Sequence, residues 1–433
     1  MQTLSASEAA GLVRDSDTLA VPLGPGQPGA FLHALGAREA FRSLTVFGAL
    51  LLDFYPLFTR PGVRLLSGFF GPVERALRAG GHPVEFVPAD FRRFAKLARE
   101  MAPRVMATAT APPDAEGRLS LSLHAGATVA ELQRCGRDPD RVLVVEANAR
   151  LPRTCGHPPE SPHCLHVDEV DVLVPSDRDV PALPDAEADP VERRIAEHAS
   201  RFIPDGATLQ TGIGGVPNHI ARLLAAGSGG DYGIHTEMFT DGLMQLQRAG
   251  KVSNRKGIYD GFSVTTFAFG SRALYDWLDQ NPAVRFLPVD RVNDPALIAR
   301  NRQMVSINGA LSVDLVGQVV ADRIGEHEHS GIGGHEDFVT GAAFSPGGRS
   351  LICLPAAANT PRGRVSRIVG AFPAGACVTT PRHQVDVVVT EYGAAELAGR
   401  TAKERAQALA AIAHPAVREA LLGGQELPLV VGD

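Results

Sequence analysis

Several things are scarce in this 433-residue chain, and each scarcity removes a class of function. Five cysteines (Cys135, Cys155, Cys164, Cys353 and Cys377) are an odd count with no CxxC pair, so a disulfide framework is not expected. A reducing, cytoplasmic setting suits them. No block of five basic residues occurs, and the formal charge is −6; a protein that neutralises runs of phosphate needs the opposite balance, so nucleic acid is not an expected partner. The most apolar run, LTVFGALLLDFYPLF, is broken by Asp53, well short of the roughly 18 residues a membrane helix requires. MQTLSASEAA has no basic stretch leading into an apolar one, so neither an export signal nor a membrane partner is expected.

What the chain has instead is repetition. Thr18 to Pro28 (TLAVPLGPGQP) leads to LTVFG ending at Gly48, and Thr208 to Pro217 (TLQTGIGGVP) leads to GIHTE ending at Glu237, with the strand end 20 residues beyond the proline in both copies. Further pairs follow in the same order. HPVEFVPAD (82–90) answers PAVRFLPVD (282–290), GRLSLSL (117–123) answers GALSVDL (309–315), and VDVLV (170–174) answers VDVVV (385–389). Collinear self-similarity of this kind points to two similarly built domains in tandem.

Runs such as VLVVEA, VDVLVP and LICLPA are short and continuously apolar, as strands covered on both faces are. Helical patterns alternate with them. In PNHIARLLAA, Pro217 suits a first helical turn, while Ile220, Leu223 and Leu224 form one apolar face. The expected fold is therefore α/β, with mostly parallel sheets in both domains. Ser176 to Pro190 is rich in proline and acid and lacks an apolar period. It separates a first domain, 1–178, from a second, 191–433, with residues 179–190 as linker.

Chemistry is expected where the copies diverge. Glycine at position 48 against a carboxylate at Glu237 makes Glu237 a candidate nucleophile or general base. The same test also admits Glu391, which follows the last strand where the first copy has Ser176. Divergence alone does not choose between them, and most glutamates cap helices or form ion pairs. The turn GIGGVP exposes main-chain N–H groups at a helix start, which suits a phosphate, carboxylate or oxyanion. It lacks the GxGxxG fingerprint and a ribose-binding acid, so a nicotinamide cofactor is disfavoured. A second glycine turn, SGIGGHEDF (330–338), is a candidate partner for the first in lining a pocket, though a plain surface turn reads the same way. Cys155, His157, His163, Cys164 and His166 have no common zinc spacing and are taken as a polar loop. Arg255, Lys256, Arg362, Arg364 and Arg367 are available to phosphates, with solvated surface charge the plainer reading of each.

At these residues the chain resembles the acetyl-CoA hydrolase/transferase family, among the class I CoA-transferases of the 4-hydroxybutyrate type. The motifs run through almost the whole length: EANARLPRTCG, TLQTGIGGVP, GIHTEMFTDG, SINGALSVDLVGQV, SGIGGHEDFVTGA, GRVSRIV and VVVTEYGAAELAGRT. The resemblance implies that the IHTE glutamate, Glu237 and not Glu391, is the nucleophile. It implies CoA contacts at Gly214, Gly215, Val216, Pro217, Asn218, Ser312, Gly334 and His335, the last standing where relatives often carry glutamine. Copy one also departs from many relatives around Gly24 to Pro28, which bears on the acyl pocket. The implied activity is transfer of CoA between an acyl-CoA and a small carboxylate such as acetate, butyrate or 4-hydroxybutyrate, with CoA as substrate, no permanently bound cofactor or metal, and a homodimeric assembly. An acyl-CoA hydrolase using the same glutamate and a non-catalytic CoA-binding protein are the alternatives.

Overall fold

The computed structural model describes residues 1–184, 187–212, 214–361 and 363–430. It divides into two compact units. The first comprises 1–184 with 264–293 and 328–333, and the second 185–263, 294–327 and 334–433.

In the first unit, β1 (Gln2–Thr3), β2 (Ser16–Ala20), β3 (Ser43–Gly48), β4 (Val63–Ser67), β5 (Val84–Phe86), β6 (Val105–Thr110), β7 (Val142–Asn148) and β8 (Val172–Ser176) form one sheet in the order β1-β8-β7-β6-β2-β3-β4-β5. Every neighbouring pair is parallel. Leu19, Val46, Leu65, Val105 and Val144 from the strands share a core with Phe31, Leu32 and Leu35 of helix α1 (Gly29–Gly36).

In the second unit, β9 (Thr208–Thr211), β10 (Gly233–Ile234), β11 (Met304–Gly309), β12 (Arg349–Cys353), β13 (Val387–Thr390) and β14 (Gly393–Glu396) run in the order β10-β9-β11-β12-β13-β14. Only the last pair is antiparallel among those described. The run β10-β9-β11-β12-β13 repeats β3-β2-β6-β7-β8 strand for strand, which is the duplication the sequence announces.

Continuous apolar strands form here because both faces of the second sheet are covered. Leu351, Val387 and Val389 pack with Ile195 of α2 (Pro190–Ser200) and with Ile220 and Leu224 of α3 (Gly215–Ala226). Their neighbours Ile352 and Val388 point the other way, to Val339 of α5 (His335–Phe344) and Leu409 of α6 (Ala402–Ile412). Each such side chain contributes about 1.5–3 kcal/mol when fully buried. Among the described residues no helix is long and apolar enough to cross a membrane.

Candidate active site

The second unit gathers its candidate groups at the carboxyl ends of β9 to β11, where open α/β sheets bind ligands. Thr211 ends β9 and the glycine turn begins at once. Gly214 sits at φ +124°, which side-chain-bearing residues rarely adopt, and caps α3 with no side-chain hydrogen bond. At Gly215, a β-carbon would stand 2.0 Å from Oε2 of Glu192 on α2. Pro217 brings no N–H to the first helical turn, so the turn's donors nearest the helix end belong to Gly215 and Val216. Asn218 follows on the same turn, and its Oδ1 is buried without a hydrogen-bond partner among the described residues. Ile213 lies outside the described residues.

Glu237 stands just past β10. The β9–β10 ladder pairs Thr208 with Gly233 and Leu209 with Ile234, and the N–H of His235 continues it to the Leu209 carbonyl at 3.1 Å. Next comes Thr236, fully buried, whose hydroxyl accepts from the Thr211 N–H at 3.3 Å and lies 3.2 Å from the Thr211 carbonyl and 3.0 Å from that of Met238. One hydroxyl thereby clamps the residue before Glu237 to the residue before the glycine turn. Glu237 itself is half-buried in a bend. Helix α4 (Asp241–Arg248) then starts against α3, so closely that a β-carbon at Gly242 would lie 2.9 Å from that of Ala221 and 3.1 Å from Asn218 Cα. At the matching point of the first copy, a side chain on Gly48 would press on Val21 Cγ2 at 3.1 Å. The two strand ends differ in room as well as charge.

The start of α5 reaches the same neighbourhood through aromatic packing. Phe338, one turn inside the helix, meets the His235 ring edge-on with centroids 6.2 Å apart. The Asn301 amide nitrogen, fixed as a donor by the Ile298 carbonyl at 2.9 Å, lies 3.1 Å from His235 Nδ1, which therefore accepts. Gly334 caps α5. His335 is buried, with Nε2 2.9 Å from the Thr380 hydroxyl, and burial pushes its pKa down to about 4, so the ring is neutral. Ser312 lies on a short strand Ser312–Asp314, its hydroxyl donating to the Arg367 carbonyl at 2.7 Å.

Glu391 is placed quite differently. It is 6% exposed, and its Oε2 accepts the Ala356 N–H at 2.8 Å. Arg367 nearby keeps a guanidinium whose pKa burial lowers and whose charge Glu391 partly offsets. Lys256 is also buried, not solvated: its ammonium meets the carbonyls of Tyr259 at 2.5 Å and Phe262 at 2.6 Å, and desolvation pushes it down to about 7. Arg255 pairs with Asp231 at 2.7 Å, and Arg362 lies outside the described residues. Of the cysteine–histidine cluster, His163 stacks on Phe286 at 5.1 Å and bonds the Ser122 carbonyl and Thr154 hydroxyl, both at 2.9 Å. Among the described residues no three His, Cys, Asp or Glu side chains are grouped to hold a metal.

Sequence reading missed the clamp. Thr236 reads as any strand threonine, and only the register of β9 against β10 reveals that its hydroxyl accepts from the Thr211 N–H and has two carbonyls in reach of its one proton.

Residues 270–424 match the family of the acetyl-CoA hydrolase/transferase C-terminal domain. The chain is 36% identical over 417 residues to the succinyl-CoA:cyclohexane-1-carboxylate CoA transferase of Geobacter metallireducens, covering 95% of this chain and 92% of that one. It is 43% identical over 283 residues to the 4-hydroxybutyrate coenzyme A transferase of Clostridium kluyveri, covering 65% of this chain and 64% of the other. Among solved structures, that of 4-hydroxybutyrate CoA-transferase from Porphyromonas gingivalis superposes with a TM-score of 0.78 at 31% identity, over 98% of this chain and 97% of that one.

Proposed function

This chain belongs to the acetyl-CoA hydrolase/transferase family, and from that premise we propose that it is a CoA-transferase, moving CoA from an acyl-CoA to a small carboxylate through a glutamyl-CoA thioester on Glu237. The Glu237 carboxylate attacks the thioester carbonyl, and collapse of the tetrahedral adduct gives an acyl-glutamyl anhydride and CoA thiolate. The thiolate attacks the glutamyl carbonyl, the first acid leaves, and the enzyme carries CoA as a thioester. A second carboxylate then takes the CoA by the same steps in reverse, so the kinetics are ping-pong.

Each tetrahedral adduct carries an oxyanion, and one well-aimed N–H is worth about 2.7–4 kcal/mol of barrier. Backbone N–H groups near Val216 and Gly334 are the donors in this reading. Gly214 to Asn218, Ser312, Gly334 and His335 make the CoA contacts. An anhydride exposed to water hydrolyses, so binding energy from the long CoA arm is used to close the site around it. CoA is a substrate here, and the remaining elements of the reading are a small carboxylic acid as co-substrate, a homodimer and a cytoplasmic setting.

The observation that carries the proposal is the Thr236 clamp, which tethers a half-buried carboxylate beside a glycine turn at the end of a helix. The test is to follow loss of acetyl-CoA with and without propionate, butyrate, 4-hydroxybutyrate and succinate. Acceleration by at least one acid, with the matching new acyl-CoA appearing, is expected. Loss that no acid accelerates contradicts transfer and makes the protein an acyl-CoA hydrolase.

A further inference from the structure

The carboxyl edge of the second sheet holds two buried polar atoms with nothing to bond. Thr211 Oγ1 ends β9 and Asn308 Nδ2 lies near the end of β11, on the opposite face of the sheet because Thr211 pairs with Ile307; neither has a hydrogen-bond partner among the described residues. Leaving a buried donor unsatisfied costs about 1–3 kcal/mol, so sites that persist in this state commonly await a ligand or water.

The direction of the Asn308 amide follows from its neighbours. Gln210 Oε1 accepts the Ile307 N–H at 3.0 Å, which turns Gln210 Nε2 toward Asn308 Oδ1 at 3.5 Å, the outer limit of such a contact. Reversing the Asn308 amide would set two NH₂ groups against each other. Oδ1 therefore faces Gln210, and Nδ2 is the group left over. The next residue, Gly309, is exposed, and a β-carbon there would meet no atom within 4 Å. Asn308 is 9% exposed, with its side chain on the other face of the sheet from that space, on the strand next to the one that feeds the glycine turn.

We propose that Asn308 is a ligand-binding residue of this edge, its Nδ2 donating a hydrogen bond to a carbonyl oxygen of the CoA arm. The inference rests on the CoA-transferase reading and adds to it a side chain outside the glycine turns. A carbonyl suits the site because it offers an acceptor without charge, whereas a buried anion here would need a cation, and the amide supplies none. CoA has two kinds of carbonyl that fit this chemistry: the amides of its pantetheine arm, present in free CoA, and the thioester carbonyl, present only in acyl-CoA.

The test uses the full chain and two variants. Asn308→Ala removes the whole amide, while Asn308→Asp keeps an oxygen for Gln210 and replaces only the donor. Free-CoA binding by calorimetry and kcat/KM for acetyl-CoA are measured on both. One neutral hydrogen bond lost predicts a fall of about threefold to tenfold. Weaker binding of free CoA assigns the bond to a pantetheine amide. Unchanged CoA binding with a lower kcat/KM assigns it to the thioester carbonyl. Changes under twofold in both quantities leave the amide to an ordered water and overturn the inference. A collapse of the thermal midpoint in Asn308→Ala, which adds no buried charge, shows that the amide is already held structurally and overturns it equally. If the unaltered chain binds no CoA, it is the family-level reading that fails.

Discussion

Two glutamates at strand ends differ in their surroundings. Glu391 is enclosed and holds a backbone N–H beside a half-buried arginine, whereas Glu237 lies half-buried in a bend next to the glycine turn. Glu391→Gln is therefore expected to lower stability by about 1–3 kcal/mol, the cost of disturbing a buried acceptor, and to leave covalent chemistry in place. Denaturant unfolding combined with single-turnover assays checks both halves. Buried histidines set the response to acid. His124 and His335 are pushed down to about 4 and His163 to about 3 by burial. Their folded pKa values lie below the unfolded value, near 6.5, so between those limits the unfolded chain binds more protons and stability falls as pH falls. Each contributes a slope of up to about 1.4 kcal/mol per pH unit. Thermal midpoints measured from pH 8 to 4 are expected to hold until about 6.5 and then decline, and His335→Gln is expected to flatten the decline. An unchanged midpoint down to pH 4 contradicts it.

At the scale of the element, the glycine turn between β9 and α3 needs its glycines for two different reasons. Gly214 needs its positive φ, and Gly215 needs the space that Glu192 borders. Gly214→Ala is expected to cost about 1–3 kcal/mol through backbone strain and to weaken CoA binding at the same time. Calorimetry and melting curves on the variant report the two losses separately; a variant as stable and as tight-binding as the parent shows the turn to be conventional. Much of this element was legible beforehand. The Gly-rich turn, Pro217 in the first helical turn and the apolar face of Ile220 and Leu224 are local signals, and local sterics govern them. The Thr236 clamp and the Gln210–Asn308 pair were not, because each depends on which residues neighbouring strands bring level. A sequence read along one strand carries no register.

Across the whole molecule, the repeat predicted the architecture because each unit pairs its own strands into its own main sheet. The match of β10-β9-β11-β12-β13 to β3-β2-β6-β7-β8 follows from that. What the repeat could not foretell is where copy-two segments pack. HPVEFVPAD and PAVRFLPVD look alike, yet the first supplies β5 of the large sheet, while 264–293 leaves the second unit's sheet without a counterpart strand and belongs to the first unit. Apolar spacing says that a segment is buried, not against what. The proposed homodimer is an assembly-scale claim: light scattering on the purified chain is expected to give twice the chain mass, and a monomer mass at micromolar concentration contradicts it.

The central claim is covalent, and mass spectrometry reaches it most directly. The protein is mixed with acetyl-CoA, trapped, digested, and the peptide containing Glu237 weighed, with Glu237→Gln and Glu391→Gln in parallel. The account predicts a CoA-sized adduct on that peptide in the parent and in Glu391→Gln, and none in Glu237→Gln. An adduct that survives Glu237→Gln, or turnover by the parent with no adduct formed, contradicts it.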